Sequence, residues 1–205
     1  GYQVHLSDLV DLHIEQAKKE NLKSKHKLES LKIEDARSLS YASESSDVVL
    51  LLGPLYHLTE KEDRIKSLKE AYRVLKPGGI LFAAAISRYA SMIDGLRKEY
   101  CFEKYYLEML DETFKTGKNI SKGKRDHFTT AYFHKPDELK EELEESGFKL
   151  LHILAIEGVA WTLPNLDKYL ADNTNKKNLL ELIQKTESEP SLLGYSPHLM
   201  VVAVK

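Results

Sequence analysis

The chain has 205 residues, 42% of them apolar and 30% charged, which suits one large domain or two small ones. Thirty basic against 32 acidic side chains leave a formal charge of −2, so the strongly basic footprint of a general nucleic-acid coat is excluded and a nucleic-acid partner is disfavoured. The only cysteine, Cys101, rules out an intrachain disulfide and a cysteine-rich metal site, and no metal centre is expected; the lone thiol points to a reducing, cytoplasmic setting.

No apolar run reaches the ~18–20 residues of a membrane span. The start, Gly1-Tyr2-Gln3-Val4-His5, has neither the basic head nor the apolar stretch of a signal peptide. It also lacks an initiator Met, so the chain is expected to be processed, truncated or incomplete.

In chain order, residues 2–8 predict a short strand. Val10, Ile14 and Ala17 then fall at i, i+4 and i+7, one face of a helix, with Asp11 at its positive end. A lysine-rich helix end and loop lead to a weak strand at 31–33. Residues 48–52 form a continuous apolar run, as a parallel strand buried on both faces requires, and Gly53-Pro54 stops it. Ile65, Leu68, Tyr72 and Leu75 predict a helix over 60–75, which Pro77-Gly78-Gly79 ends before a second buried strand at 80–86.

Residues 89–116 read as helical and 117–127 as a basic loop, so 89–130 is expected to form a cap over the site. Pro136 opens a further helix and Gly147 closes it. The acidic run from Asp137 to Glu145 reads as a solvated face. A strand at 148–156, helices near 165–171 and 176–187, and a last strand at 198–204 complete a single α/β domain with helices on both faces of the sheet.

In an open α/β sheet, ligands bind beyond the carboxyl ends of the strands. The first strand ends at Asp8, whose carboxylate could accept both hydroxyls of a ribose or cap a helix. The second ends at Glu34-Asp35-Ala36-Arg37, where Asp35 could accept from an exocyclic amine or pair with Arg37. The third ends at Leu52-Gly53-Pro54-Leu55-Tyr56-His57, a sharp turn that lifts Tyr56 and His57 above the sheet edge. The fourth ends at Ile86-Ser87-Arg88-Tyr89.

This arrangement resembles the class I S-adenosylmethionine-dependent methyltransferases. YQVHLSD (2–8) is similar to their second strand with its ribose-binding acid, IEDA (33–36) to the end of the third, and DVVLLLGPLYHL (47–58) to the fourth strand and the segment after it. VLKPGGILFAAA (74–85), the most specific match, resembles their helix, Lys-Pro-Gly-Gly turn and fifth strand. ESGFKLL (145–151) resembles the start of the sixth, and SPHLMVVAVK (196–205) the antiparallel last strand.

The resemblance implies a Rossmann-like, doubly wound, mostly parallel sheet. It also implies S-adenosylmethionine as cofactor, with Asp8 on the ribose, Leu9 along the adenine, Asp35 and the Ala36 amide at the adenine edge, and the backbone of Leu52 and Gly53 beside the methionine part. His57 becomes the candidate base or acceptor-orienting group and Tyr56 its companion at the sulfonium. Arg88, Tyr89, His127, Tyr132 and His134 are candidates for the pocket of a small-molecule methyl acceptor.

One element departs from the family. No G-x-G pattern precedes residue 2, so the family's first strand, glycine-rich loop and first helix are expected upstream of Gly1. Without them, cofactor binding by this chain is expected to be weak. The alternatives are a nicotinamide-dependent oxidoreductase and a methyltransferase-like protein that binds without turnover.

Overall fold

A computed structural model describes residues 1–120 and 129–205. Strand β1 (His5–Asp8) leads into helix α1 (Asp11–Lys23) and then β2 (Ser30–Ile33). β1 and β2 pair in parallel, His5 opposite Ser30 and Asp8 opposite Ile33. Among the described residues they form a two-stranded sheet of their own, apart from the main one.

The main sheet is built around β4 (Leu75–Ser87). β3 (Ser46–Leu52) runs parallel to it, with Leu52 opposite Ala84. The last strand, β8 (His198–Val204), lies on its other edge and runs antiparallel, with Ile86 opposite His198. β7 (Lys149–Ala155) is antiparallel to β8. This order, with a reversed final strand, is the Rossmann-like arrangement expected from the sequence.

Two strands were not expected. β5 (Lys118–Asn119) is short, and β6 (Ala131–His134) pairs with the very end of β4 through Ile86 and Ser87. Because β8 occupies one edge of β4 there, β6 takes over the edge that β3 leaves at Leu52. The segment expected as a cap is therefore helices α4 (Ala90–Arg97) and α5 (Lys104–Thr116), separated by a short 3-10 turn at Tyr100–Phe102, followed by strands that extend the sheet. The continuous helix expected over 89–116 breaks at Glu99, whose φ of 62° is incompatible with a right-handed helix.

Helix α3 (Lys61–Val74) and helix α6 (Pro136–Glu145) cover one face of the main sheet. Leu68 and Ala71 from α3, Leu139 and Leu143 from α6, and Leu81, Ala83, Leu199 and Val201 from the sheet form the main core. Each of these buried leucines contributes ~1.5–3 kcal/mol relative to exposure. The alanines of β4 keep the face flat, so the helices pack close. Gly147, at φ 94°, ends α6 in a left-handed turn that few side chains tolerate.

The opposite face follows from the two-residue alternation. On β3 it carries Val48, Leu50 and Leu52, which are 50%, 64% and 56% exposed, an apolar stripe on a strand that pairs only with β4 among the described residues. The strand expected to be buried on both faces is thus buried on one. Helices α7 (Leu166–Ala171), α8 (Asn173–Thr186) and α9 (Pro190–Leu193) gather beyond the β7 edge, where the Glu187 carbonyl accepts from the Ala155 amide at 2.7 Å.

Candidate functional site

The candidate site residues stand at the carboxyl ends of β1, β2, β3 and β4. At the end of β1, the Asp8 carboxylate accepts from the Val10 amide at 2.8 Å and faces the His13 ring at 3.2 Å. The first contact is an Asx turn that starts α1, the capping alternative considered from sequence. It occupies one oxygen. The carboxylate is part-exposed, so lone pairs remain open to a ligand. Leu9 beside it is 65% exposed, an apolar surface left mostly open.

At the end of β2, Asp35 pairs with Arg37, whose Nη2 donates at 2.6 Å while another donor of the same guanidinium reaches Asp63 of α3 at 2.8 Å. The Arg37 hydrogen bonds hold the Asp35 carboxyl below its ordinary range, against a small opposing effect of burial. The pairing with Arg37, one of the two roles weighed for Asp35, is therefore the one formed, and part of the carboxylate still faces solvent.

At the end of β3, Gly53 adopts φ 139°, and the Tyr56 hydroxyl and His57 ring lie 3.8 Å from where a Cβ would stand. A side chain there would have room beside these groups, but the positive φ would strain it, so the turn favours glycine. Helix α2 (Pro54–His57) then presents Tyr56 and His57 with ring centroids 4.8 Å apart. Burial pushes the Tyr56 hydroxyl above its usual pKa, so it stays protonated at neutral pH. Tyr56 packs against the cluster of Ile86, Ala90, Ala131 and Phe133, which anchors the pair over the end of β4.

The acceptor candidates do not form one pocket. Arg88 is 2% exposed, and its guanidinium donates to the Phe133 carbonyl at 2.7 Å, the Phe114 carbonyl at 3.2 Å and Glu138 at 2.5 Å. These bonds tie α5, β6 and α6 together and leave little of Arg88 for an anionic substrate. Tyr89 points elsewhere, into an open cleft with Asp137, His152, Ser191 and Gly194. His127 lies outside the described residues.

Tyr132 and His134 sit on β6 in a buried charge network. Arg64, from α3, donates to Glu142 of α6 at 3.0 and 3.1 Å and to the Leu58 and Thr59 carbonyls, and stacks 3.5 Å from the Tyr132 ring centroid. His134 Nε2 lies 3.3 Å from the Glu142 carboxylate, and its Nδ1 has no partner among the described atoms. Burial lowers the His134 pKa more than Glu142 raises it, so the ring is neutral. With the proton on Nε2, the orphaned Nδ1 is a bare lone pair, which costs less than an unpaired N–H.

Burial raises the Glu142 carboxyl, and hydrogen bonds from His134 and Arg64 more than reverse this, so it stays ionised. Reading Asp137 to Glu145 as a solvated face missed Glu142. The signal was its place between Leu139 and Leu143, on the stripe that faces the core.

A second cluster also escaped sequence reasoning. Where β8 begins, Glu157 accepts from His198 Nδ1 at 2.6 Å, from the His198 amide at 3.1 Å and from the Ser196 hydroxyl at 3.1 Å. The Ser196 hydroxyl in turn accepts from the Glu157 and Gly158 amides. These partners are some 40 residues apart, and no spacing in the sequence connects them.

Residues 1–83 match the family model of the methyltransferase domain. A demethylmenaquinone methyltransferase of Lactobacillus johnsonii is 36% identical over 121 residues, 58% of this chain and 46% of that protein. The ubiquinone/menaquinone biosynthesis C-methyltransferase UbiE of Haemophilus ducreyi is 32% identical over 116 residues, 56% of this chain and 42% of that protein. The matched region thus spans less than half the length of either relative.

Among solved structures, a SAM-dependent methyltransferase of Methanosarcina mazei superposes with a TM-score of 0.64 at 18% identity, covering 100% of this chain and 82% of that one. An S-adenosylmethionine-dependent methyltransferase of Mesorhizobium loti gives 0.56 at 15% identity over 99% and 80%. Residues 1–83 thus resemble a methyltransferase domain, and the fold is the one seen in S-adenosylmethionine-dependent methyltransferases of known structure.

Proposed function

We propose that the protein transfers a methyl group from S-adenosylmethionine to a small-molecule acceptor. The observation that carries this reading is the part-exposed Asp8 carboxylate beside bare Leu9 at a strand end, within the segment that matches the methyltransferase domain. The donor chemistry of these residues suits the cofactor. Asp8 would take the ribose hydroxyls and Leu9 would cover one side of the adenine. Asp35 and the Ala36 amide would read its edge, and the Leu52–Gly53 backbone would run beside the methionine part.

When bound, the cofactor supplies a methyl group already activated on a sulfonium, so alignment of the acceptor provides much of the catalysis. Tyr56 keeps its proton and offers a ring face to positive charge, while exposed His57 beside it orients the acceptor. The names of the two curated relatives make reduced demethylmenaquinone the first acceptor to try, and the near-neutral charge of this chain agrees with a small acceptor. No helix among the described residues is long and apolar enough to cross a membrane.

The test is calorimetry on the full-length protein, followed by transfer of labelled methyl from S-adenosylmethionine to reduced demethylmenaquinone. Saturable binding of S-adenosylhomocysteine and label in the quinone fraction are expected. Binding of a nicotinamide nucleotide in its place would overturn the reading.

A further inference from the structure

We propose that His198, oriented by Glu157, is the general base that takes the acceptor's proton during methyl transfer. The proposal rests on the methyltransferase reading above and adds to it a residue pair from the far end of the chain.

The first argument is position. His198 opens β8 directly opposite Ile86, the penultimate residue of β4. Directly opposed residues of an antiparallel pair put their side chains on the same face, with Cβ atoms ~4.5–5.5 Å apart. Alternation fixes which face this is. Leu199, Val201, Ala83 and Ala85 belong to the main core, so His198 and Ile86 point to the other side. Ile86 is part of the small cluster against which Tyr56 packs. His198 therefore stands at the carboxyl rim of the sheet, on the same face as Tyr56 and one strand across from it.

The second argument is chemistry. The Glu157 carboxylate lies 2.6 Å from Nδ1, which requires the proton on Nδ1 and leaves the Nε2 lone pair free. Nε2 has no hydrogen-bond partner among the described residues, and the side chain is 46% exposed, so an acceptor can reach it. Glu157 is itself fixed by the Ser196 hydroxyl and the His198 amide. A base oriented through its second nitrogen by a held carboxylate is the arrangement that general-base catalysis uses.

Of the other histidines near the site, two lack these properties; the third, exposed His13, has its Nδ1 3.2 Å from Asp8, but stands at the carboxylate proposed for the ribose, at the end of β1 rather than at the rim of β4. His57 packs on Tyr56 with no carboxylate beside it among the described residues, and His134 is fully buried.

For a hydroxylated aromatic acceptor, the step balances as follows. The acceptor O–H bond breaks and its proton passes to Nε2. The oxygen pair feeds into the ring, and a ring carbon takes the methyl group as the C–S pair stays on sulfur. The ring carbon then sheds its hydrogen as a proton to solvent, and the proton held by His198 restores the hydroxyl. Glu157 stabilises the imidazolium in between. Glu157 is also the charged group that acts on the ring among the described residues, and Ile86 across the ladder is neutral; its hydrogen bond raises the His198 pKa above the ordinary imidazole value against the lowering effect of burial. Activity should therefore fall as pH drops through a value above ~6.5, where the base becomes protonated.

The test uses full-length wild type, His198→Gln and Glu157→Gln, with reduced demethylmenaquinone as acceptor. His198→Gln should keep S-adenosylhomocysteine affinity within about threefold and lose roughly 10²–10⁴ in kcat. Glu157→Gln should move the acid limb of the rate profile to lower pH, and the His198 ring titration seen by NMR should move with it. A purely structural pair would shift neither. Retained kcat in His198→Gln, or an unmoved limb in Glu157→Gln, overturns the proposal.

If wild type transfers no methyl to this quinone, the choice of acceptor fails, and a second probe still decides the dyad. Bound 1-naphthol should absorb as naphtholate below its solution pKa in wild type and not in His198→Gln. Absence of that signal in wild type overturns the base.

Discussion

Arg64→Ala is expected to lower stability by about 3–5 kcal/mol, because it leaves the Glu142 carboxylate buried and without its counter-charge. For a domain of this size, that corresponds to a fall of roughly 6–20 °C in Tm. The substitution also frees the Leu58 and Thr59 carbonyls and removes the cation stacked on Tyr132. The double change Arg64→Met, Glu142→Leu should recover most of the loss, since an apolar pair of similar volume often matches a buried ion pair. A loss below about 1 kcal/mol for Arg64→Ala would show that the pair is not sealed from water.

The same network sets an acid limit. His134 has its pKa lowered on folding, so its contribution is fully present above the ordinary value of 6.5 and is lost as pH falls below it. Glu142, also lowered, keeps its contribution until pH falls below the ordinary 4.5. Thermal unfolding from pH 7 downward should therefore show two successive losses, and His134→Asn should remove the first. His198 has the opposite sign, since its raised pKa stabilises at low pH and the gain fades as pH rises through its folded value. That pair is part-exposed, so its weight is smaller.

Asp8→Ala should weaken S-adenosylhomocysteine binding by roughly 10–150-fold, the loss of about 1.5–3 kcal/mol from hydrogen bonds to a charged acceptor. Asp8 also starts α1 by accepting from the Val10 amide, so a loss of folding could be confused with a loss of binding. Asp8→Asn separates the two. It keeps an oxygen for the turn while removing the charge, so its Tm should stay within a degree or two of wild type while affinity still drops. Unchanged affinity in Asp8→Ala, measured by calorimetry on full-length protein, would remove Asp8 from the cofactor site.

Much of this molecule could be read from one dimension. The apolar runs at 48–52 and 80–86 and the final strand fall where periodicity puts them, whereas the Lys-Pro-Gly-Gly segment expected as a turn lies inside β4, as an irregularity in its pairing with β3 between Leu75 and Ile80. β6 could not be read, because Ala131–His134 is four residues long and gains its strand character only by extending the end of β4. Arg88 and His134 looked like pocket residues because charge in a sequence carries no depth, and both are buried. Asp35 was ambiguous for a different reason: pairing with Arg37 and facing a ligand are compatible, and the structure shows the first while leaving room for the second.

The split between the two sheets has a further consequence. Asp8 rides on the β1–β2 unit, and the segment that follows β2 is clasped to α3 by side chains rather than by a ladder. Arg37 bridges to Asp63, the Leu39 amide donates to Glu70, and Arg73 donates to the Leu39 and Tyr41 carbonyls. Such clasps open at lower free energy than a packed ladder and are weakened by salt. The amides of β1 and β2 should thus exchange hydrogen well before those of β4 and β8. A ligand that spans Asp8 and Gly53 would stitch the two units together, so much of its binding free energy would be felt as slowed exchange in about one fifth of the chain, with a dependence on ionic strength that direct charge on the ligand does not account for.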